Sequence, residues 1–175
     1  METLIYPDDI VIRTELRPGD MGYVIHLHGS LYKEEYGYGI DFEAYVAKGM
    51  YEFYQQYDPV KDRVWVCEHR GVIVGFLLLM HREDNMAQLR YFILAPAYRG
   101  LGLGKKLMGL YMEHWRRAGY RGSYLWTTHE LATAASLYLR HGFVRTEEKA
   151  SNTFGKQLYE VKYELYDTTS LEGTG

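Results

Sequence analysis

Residues 87–106 read AQLRYFILAPAYRGLGLGKK, and the other predicted elements are organised around this stretch. Its apolar part ends at Pro96, three glycines then alternate with other residues between Gly100 and Gly104, and two lysines open a helical pattern. A strand, a glycine loop and a helix in this order often form an anion site. The reason is that the first N–H groups of a helix have no intrahelical partner and lie at the positive end of its dipole. The stretch therefore predicts a site for a phosphorylated ligand.

The composition is that of one globular domain. The chain has 175 residues, of which 47% are hydrophobic and 25% are charged, values that are ordinary for a soluble protein with its own core. The single cysteine, Cys67, excludes an internal disulfide and lies in an apolar pattern that predicts inert packing. Neither a signal peptide nor a run of about 18 apolar residues is found, so we expect a cytoplasmic protein without a membrane partner. No basic stripe predicts binding to nucleic acid.

The pattern before the glycine loop predicts one short strand, two helices and a meander. Residues 11–16 alternate like a strand, and Asp20 is predicted to cap the first helix, which Gly37 ends. A second helix runs from about residue 41 to residue 56. Three apolar runs then follow with short turns, over residues 62–68, residues 72–80 and the opening stretch, and these predict an antiparallel meander.

The pattern after the loop predicts two more helices and three strands. A helix ends near Ala118, residues 123–126 form a buried strand, and Thr127 with Glu130 has the spacing of a capping box for the fourth helix. Gly142 lies where that helix needs a left-handed cap. Residues 143–149 and 154–166 read as the last strands, and residues 168–175 as a frayed tail. The whole pattern predicts a single α+β domain over residues 1–167, built from mixed layers.

The glycine loop fails two familiar phosphate motifs. A P-loop needs a serine or threonine after its lysine and a glycine at its start, but Lys106 follows Lys105 and Arg99 takes the first glycine's place. A dinucleotide fingerprint needs a third glycine where this chain has Leu107. The remaining match is RGLGLG, residues 99–104, which fits the pattern [QR]-x-x-G-x-[GA] after a strand that ends in proline.

Three segments in order resemble the GNAT family of acetyl-CoA-dependent N-acetyltransferases. Residues 92–96, FILAP, are similar to the family's fourth strand, residues 99–104 to its pyrophosphate loop, and residues 134–143, AASLYLRHGF, to its A-x-x-L-Y-x-x-x-G-F element. The resemblance implies the GNAT acyltransferase fold. That fold has a central mixed, mostly antiparallel sheet of about seven strands, flanked by four helices.

A finer resemblance involves the first helix. Residues 26–37, HLHGSLYKEEYG, resemble the start of the acetyltransferase half of MarR-GNAT fusion proteins. The chain is too short for a winged-helix half, so we expect no role in transcriptional regulation.

The resemblance implies a reaction and a set of site residues. An acetyl group passes from acetyl-CoA, a cosubstrate, to a primary amine by direct attack, and Tyr138 corresponds to the general acid. The glycine loop would hold the coenzyme A pyrophosphate, and the strand before it would bind pantetheine through main-chain groups. The N–H of Leu94 would polarise the thioester carbonyl. The implied cofactor-binding positions are Phe92, Ile93, Leu94, Arg99, Gly100, Leu101, Gly102, Leu103, Gly104 and Lys105.

The general base stays open at this point. Glu68, His129, Glu130 and a water molecule are the alternatives. A metal site is not expected, because His26 and His28 are two residues apart on a helix and point about 200° apart. One departure from the family is Leu131, which stands where many members carry an asparagine that contacts the cofactor.

The acceptor is predicted from the first two helices, which roof the acceptor site in this family. The region is acidic and rich in tyrosine and predicts a cationic acceptor, either a small-molecule amine or a peptide amine; the residues concerned are Tyr32, Glu34, Glu35, Tyr36, Tyr38, Asp41 and Glu43. A non-catalytic acyl-CoA-binding or regulatory module and an interaction protein remain as alternatives. The acyl-chain length and the oligomeric state also stay open, with a homodimer as one alternative.

Overall fold

Within residues 4–169, which the computed structural model describes, a seven-stranded sheet lies between two pairs of helices. None of the helices in this part of the chain has the length and apolar character that crossing a membrane requires. The elements are β1 (Ile10–Arg13), α1 (Asp20–Tyr36), α2 (Ile40–Gln56), β2 (Arg63–His69), β3 (Val72–Arg82), β4 (Met86–Leu94), α3 (Leu103–Arg117), β5 (Gly122–Thr128), α4 (Ala132–Arg140), β6 (Val144–Ser151) and β7 (Leu158–Tyr166).

The sheet is mixed and mostly antiparallel, as predicted. Its strand order is β1-β2-β3-β4-β5-β7-β6, and β4 with β5 is the only parallel pair among the described strands. Strands β2 to β4 form the predicted antiparallel meander. The predicted fold class, an α+β sheet of about seven strands with four flanking helices, is confirmed.

Strand β3 is apolar almost throughout because helices cover both of its faces. Leu77 and Leu79 belong to the core that α3 and α4 cover, whereas Phe76 and Leu78 belong to the core under α1 and α2. All four side chains are fully buried. The sheet therefore separates two hydrophobic layers, and any route between them must pass through a gap between strands.

Such a gap opens between β4 and β5. The two strands pair only from Met86 to Gln88, opposite Gly122 to Tyr124. Both strands continue well beyond this point, and β5 stays paired with β7 as far as Thr128. The edges of β4 and β5 that face each other are thus left without a strand partner over their carboxyl-terminal halves. We call this gap the wedge.

A β-bulge in β4 lies at the same level as the wedge. Tyr91 has φ 58°, a left-handed conformation, and the pairing with β3 skips from Arg90 opposite Leu78 to Ile93 opposite Phe76. Regular alternation would place Arg90 and Tyr91 on opposite faces. The bulge instead directs both side chains toward α2, since the Arg90 guanidinium and the Tyr91 hydroxyl both lie close to Gly49.

Two predicted helix caps are wrong. Asp20 is not the N-cap of α1 but its first residue, and its carboxylate accepts hydrogen bonds from the Arg13 guanidinium and the Arg17 N–H instead. Thr127 and Glu130 form no capping box. Thr127 stays in β5, and the Glu130 carboxylate accepts a hydrogen bond from Lys156 at 2.7 Å. The Asp20 carboxylate is thus taken by groups three and seven residues away, whereas Glu130 is held by Lys156, which is 26 residues away.

Two further predictions concern the end of the chain. Gly142 follows α4 with φ 91°, which confirms the predicted left-handed position. Most of the predicted tail, residues 170–175, lies outside the described residues.

Gly122 lies in the short paired segment of β4 and β5 that precedes the wedge, opposite Met86, and its close packing gives the first prediction. A Cβ added there would lie 2.7 Å from the Met86 sulfur and 3.0 Å from the Leu165 carbonyl oxygen. Since the carbonyl belongs to the backbone, Gly122→Ala is expected to lower the free energy of unfolding by about 1–3 kcal/mol in urea denaturation.

Gly109 provides the matched control. It is exposed within α3, and an added Cβ there meets nothing within 4 Å. Gly109→Ala should therefore raise the free energy of unfolding by about 0.5–1 kcal/mol. Equal effects of the two substitutions would contradict the close packing at Gly122.

Candidate active site

The glycine loop presents a row of unpaired N–H groups. Gly100 and Gly102 both adopt positive φ, 75° and 80°, which turns the chain from β4 into α3. The first intrahelical bond runs from the Lys106 N–H to the Gly102 carbonyl at 3.1 Å. In the described part of the chain, the N–H groups from Gly102 to Lys105 donate to no acceptor. Four donors at the positive end of a helix form an anion site.

The other predicted loop residues support this turn in different ways. Leu103 buries its side chain in the core and Leu101 is half-buried, so only their main-chain groups face the site. Gly104 lies close to β4, because an added Cβ would be 3.5 Å from the Phe92 ring. Lys105 is exposed beside the free N–H groups.

Arg99 is occupied by the protein itself. Its guanidinium donates to both carboxylate oxygens of Glu35, at 2.9 and 2.7 Å, and to the Leu94 carbonyl at 3.1 Å. These hydrogen bonds to Glu35 raise the pKa of Arg99. Its N–H donates to the Pro96 carbonyl. Arg99 was predicted to contact the cofactor. In the structure its side chain instead links α1 to the end of β4.

The three predicted main-chain positions of β4 divide between its two edges. The Ala95 N–H donates to the Val74 carbonyl of β3 at 2.8 Å. Because successive residues of a strand direct their N–H and C=O groups to opposite edges, Ile93 faces β3 whereas Phe92 and Leu94 face the wedge. Both polar main-chain groups of Phe92 and the N–H of Leu94 are thus open to a ligand, whereas the Leu94 carbonyl accepts from Arg99 and the Ile93 groups face β3.

A cavity of about 140 Å³ lies against the wedge on the side of α1 and α2. His28 of α1 and Phe42 of α2 line one wall, Thr128 of β5 lines another, and Tyr138 of α4 closes the end beyond the sheet. The cavity thus connects the two layers that the sheet otherwise separates. Stacked aromatic rings support its roof, with Tyr32 and Phe42 at 4.5 Å between centroids.

Tyr138 is held in an apolar cage at the junction. Only 4% of it is exposed, and the rings of Phe92, Phe143 and Tyr163 lie 6.0–6.4 Å from its own. Burial raises the pKa of this phenol, so it stays protonated at neutral pH. The hydroxyl forms no hydrogen bond with another residue from 4 to 169. A neutral donor without a protein acceptor is suited to give a proton to a bound group.

None of the three predicted base candidates lines the cavity. The Glu68 carboxylate accepts from Arg13 at 2.9 Å, and Glu130 is held by Lys156. The His129 ring accepts the Tyr159 N–H at 3.1 Å. Each of these groups already has a partner in the protein.

Sequence reasoning missed two charged residues that do line the cavity, Arg90 and Glu160. Arg90 reaches it through the bulge, and a bulge leaves no mark in an alternating pattern. Glu160 lies on β7 opposite Thr128. Its position depends on β7 inserting between β5 and β6, which is a tertiary arrangement.

His28 is a buried neutral base in the cavity wall. Its Nδ1–H donates to the Val24 carbonyl at 2.8 Å, which leaves Nε2 with a lone pair. Burial lowers the pKa of His28 to about 4. His26 instead contacts Ser30 on the same helix. The two histidines thus have separate surroundings.

The glycine loop, β4 and Tyr138 all lie within a segment that matches a protein-family model. Residues 61–145 match the model described as "Acetyltransferase (GNAT) domain". The chain is also 37% identical to the "Uncharacterized N-acetyltransferase YjgM" of Escherichia coli K12 over 113 residues, which are 62% of this chain and 68% of that protein. The chain belongs to the GNAT acetyltransferase family.

Solved structures of GNAT proteins share the fold over most of the chain. An acetyltransferase of the GNAT family from Staphylococcus aureus Mu50 superposes with a TM-score of 0.73 at 22% identity, covering 90% of this chain and 98% of that one. The yncA structure from Salmonella typhimurium, solved with its cofactor acetyl-CoA, has a TM-score of 0.67 at 20% identity and covers 90% and 93%. At these identities the likeness concerns the fold. The finer resemblance to MarR-GNAT fusions stays a prediction.

The buried His28 gives a pH-dependent prediction. Its folded pKa of about 4 lies below the ordinary value of 6.5, so the unfolded chain binds more protons between these values and stability falls as the pH falls. At pH 5 this amounts to about 2 kcal/mol relative to pH 7.5. His28→Phe should lose this part of the pH dependence. The measurement is urea unfolding of both proteins at the two pH values. The same pH dependence in both proteins would show that folding does not lower the pKa of His28.

Proposed function

We propose that the protein is an N-acetyltransferase that moves an acetyl group from acetyl-CoA to a primary amine by direct attack. One observation carries the proposal: Phe92 and Tyr138 line one cavity at the wedge, and the start of α3 packs against the same end of β4, where an added Cβ on Gly104 would lie 3.5 Å from Phe92 and 3.6 Å from Leu94. Membership of the GNAT family supports the reaction class. The yncA structure, which holds acetyl-CoA, supports the choice of donor.

The donor half of the site fits coenzyme A. The pyrophosphate would accept hydrogen bonds from the N–H groups of Gly102 to Lys105, and the Lys105 side chain adds a positive charge nearby. A Cβ added at Gly102 would meet nothing within 4 Å, so the space in front of the loop is open to the phosphates. Pantetheine would pair with Phe92 and Leu94 along the wedge. This order leads the thioester toward the cavity.

The transfer itself needs an oxyanion donor and a proton donor. As the neutral amine attacks, the thioester oxygen becomes an oxyanion, and the Leu94 N–H is the group proposed to stabilise it. Such a donor contributes roughly 3–4 kcal/mol. The C–S bond then breaks, Tyr138 gives its proton to the leaving thiolate, and the proton lost by the nitrogen restores the phenol. The products are an amide and coenzyme A with a free thiol.

The acceptor is proposed to be a small-molecule or peptide primary amine that is cationic when it arrives. The acidic groups predicted from the first two helices are not the ones that line the cavity. Glu35, for example, is held by Arg99. The carboxylate that does line it is Glu160, which supports an ammonium group on that side.

Tyr138→Phe tests the proposed chemistry. The variant removes one oxygen and keeps the packing, so kcat should fall at least about 10²-fold, since proton transfer of this kind contributes about 10²–10⁴. Its affinity for acetyl-CoA, measured by calorimetry, should stay within twofold. Thiol release over an amine library reports the turnover.

Tyr163→Phe is the matched control, because its ring adjoins that of Tyr138 at 6.0 Å but does not line the cavity. It should retain turnover. Unchanged kcat in Tyr138→Phe would remove this residue as the general acid. Acetyl-CoA binding without turnover in the unaltered protein would favour the non-catalytic module instead.

A further inference from the structure

The Arg90 guanidinium is the one positive charge that lines the cavity within residues 4–169. It lies beneath α2, 5.5 Å from the Tyr45 ring centroid and 4.7 Å from that of Tyr91. The side chain is half-buried, yet it makes no hydrogen bond in the described part of the protein and no ion pair within 4.0 Å. The arginines at positions 13 and 99 differ, because both are paired with carboxylates.

No carboxylate of the described residues lies within ion-pair distance, 4.0 Å, of the Arg90 guanidinium. Burial raises the pKa of the Tyr91 phenol, so that group is neutral. Glu52 of α2 acts on Tyr91 through its charge but forms no ion pair with Arg90. Keeping a half-buried guanidinium without a counter-charge is costly. Its planar fork matches a carboxylate with two parallel hydrogen bonds, which makes a ligand carboxylate the natural partner.

Glu160 gives the cavity a negative charge on another wall. It lies on β7, opposite Thr128 of β5, and it forms no ion pair with any described residue within 4.0 Å. The cavity therefore presents one unpaired cation and one unpaired anion. An acceptor with only an ammonium group would satisfy Glu160 and leave Arg90 without a partner.

We propose that the acceptor is a free amino acid, whose carboxylate binds Arg90 while its ammonium group binds Glu160. This inference rests on the proposed function and narrows its substrate class. Arg90 precedes Phe92 by two residues, a distance of at most about 7 Å along the strand. Arg90, Phe92 and Tyr138 line the same cavity, so a carboxylate bound to Arg90 would share that cavity with the open edge of β4. The stacked rings of Tyr32 and Phe42 offer an apolar wall for the acceptor's side chain.

The transfer to such an acceptor balances as follows. The ammonium group gives one proton to the Glu160 carboxylate, and the neutral amine forms the new N–C bond to the acetyl carbon. The C–S bond breaks, and sulfur takes the Tyr138 proton. The nitrogen loses its second proton to the Tyr138 phenolate, which restores the phenol, and Glu160 releases the first proton to solvent.

The test compares acceptors that differ only in the carboxylate. Phenylalanine, phenylalanine amide and 2-phenylethylamine form one series. 5-Aminopentanoate and pentylamine form a second, which covers a larger separation of the two groups. In at least one series, kcat/KM measured by thiol release should be at least tenfold higher for the free acid.

Substitution of Arg90 then assigns the preference to this residue. Arg90→Gln should lower kcat/KM at least tenfold for the favoured acid, through KM, and by less than twofold for the matched amine. Arg90→Lys should recover part of the loss. Arg116→Gln, at an exposed arginine of α3, is the control and should change neither value. Glu160→Gln, which removes both the charge and the proton acceptor, should raise KM and lower kcat for acids and amines alike.

The outcomes separate this inference from the proposed function. A preference for amines or amides over acids, or an equal loss for all acceptors in Arg90→Gln, overturns the amino-acid assignment and leaves the acetyltransferase intact. Absence of thiol release with every acceptor overturns the proposed function and the assignment with it. An acetyl-CoA titration then shows by the shift in Tm whether the donor site survives.

Discussion

The candidate site depends on the gap between the adjacent strands β4 and β5. Two adjacent parallel strands normally satisfy each other's main-chain groups, but here the pairing ends at Gln88 and Tyr124 although both strands continue. Unpaired edges within a sheet are unfavourable unless another partner meets them. The Arg99 guanidinium meets one of these groups, the Leu94 carbonyl, at 3.1 Å. The remaining groups define where an extended ligand would pair with the protein.

The bulge at Tyr91 gives the wedge its second property. A tyrosine with φ 58° carries a conformational cost on the order of 1–3 kcal/mol. Burial of its ring under α2 helps to offset that cost. The bulge places Arg90 and Tyr91 on the same face of the sheet. Arg90 therefore lines the cavity, which regular alternation would not allow. The strained backbone of Tyr91 thus lies in the wall of the cavity.

Burial also keeps the polar groups of this cavity neutral. It raises the pKa of Tyr138 and lowers the pKa of His28, so neither is charged at neutral pH. A protonated phenol and an unprotonated imidazole on opposite sides of the wedge provide a donor and an acceptor. The net charges among the residues that line the cavity then come from Arg90 and Glu160, which is the basis of the acceptor proposed above.

The sequence predicted most of the fold because its signals are local. The apolar run of β3, the turn at Gly100 and Gly102 and the end of α3 near Ala118 each depend on neighbouring residues, and these elements are confirmed. The cap at Asp20 failed because the nearby Arg13 and Arg17 bind its carboxylate, and the cap at Thr127 failed because this residue stays in β5 while Glu130 binds the distant Lys156. Arg90 and Glu160 could not be found, since a bulge and a strand insertion placed them.

Amide exchange measured by NMR, with and without acetyl-CoA, tests the central claim about the wedge. We expect the N–H groups of Gly102 to Lys105, together with those of Phe92 and Leu94, to exchange rapidly in the free protein and to become protected by acetyl-CoA. The Ile93 N–H, which faces β3, should be protected in both states. Binding of acetyl-CoA without slower exchange at Phe92 and Leu94 would contradict the account.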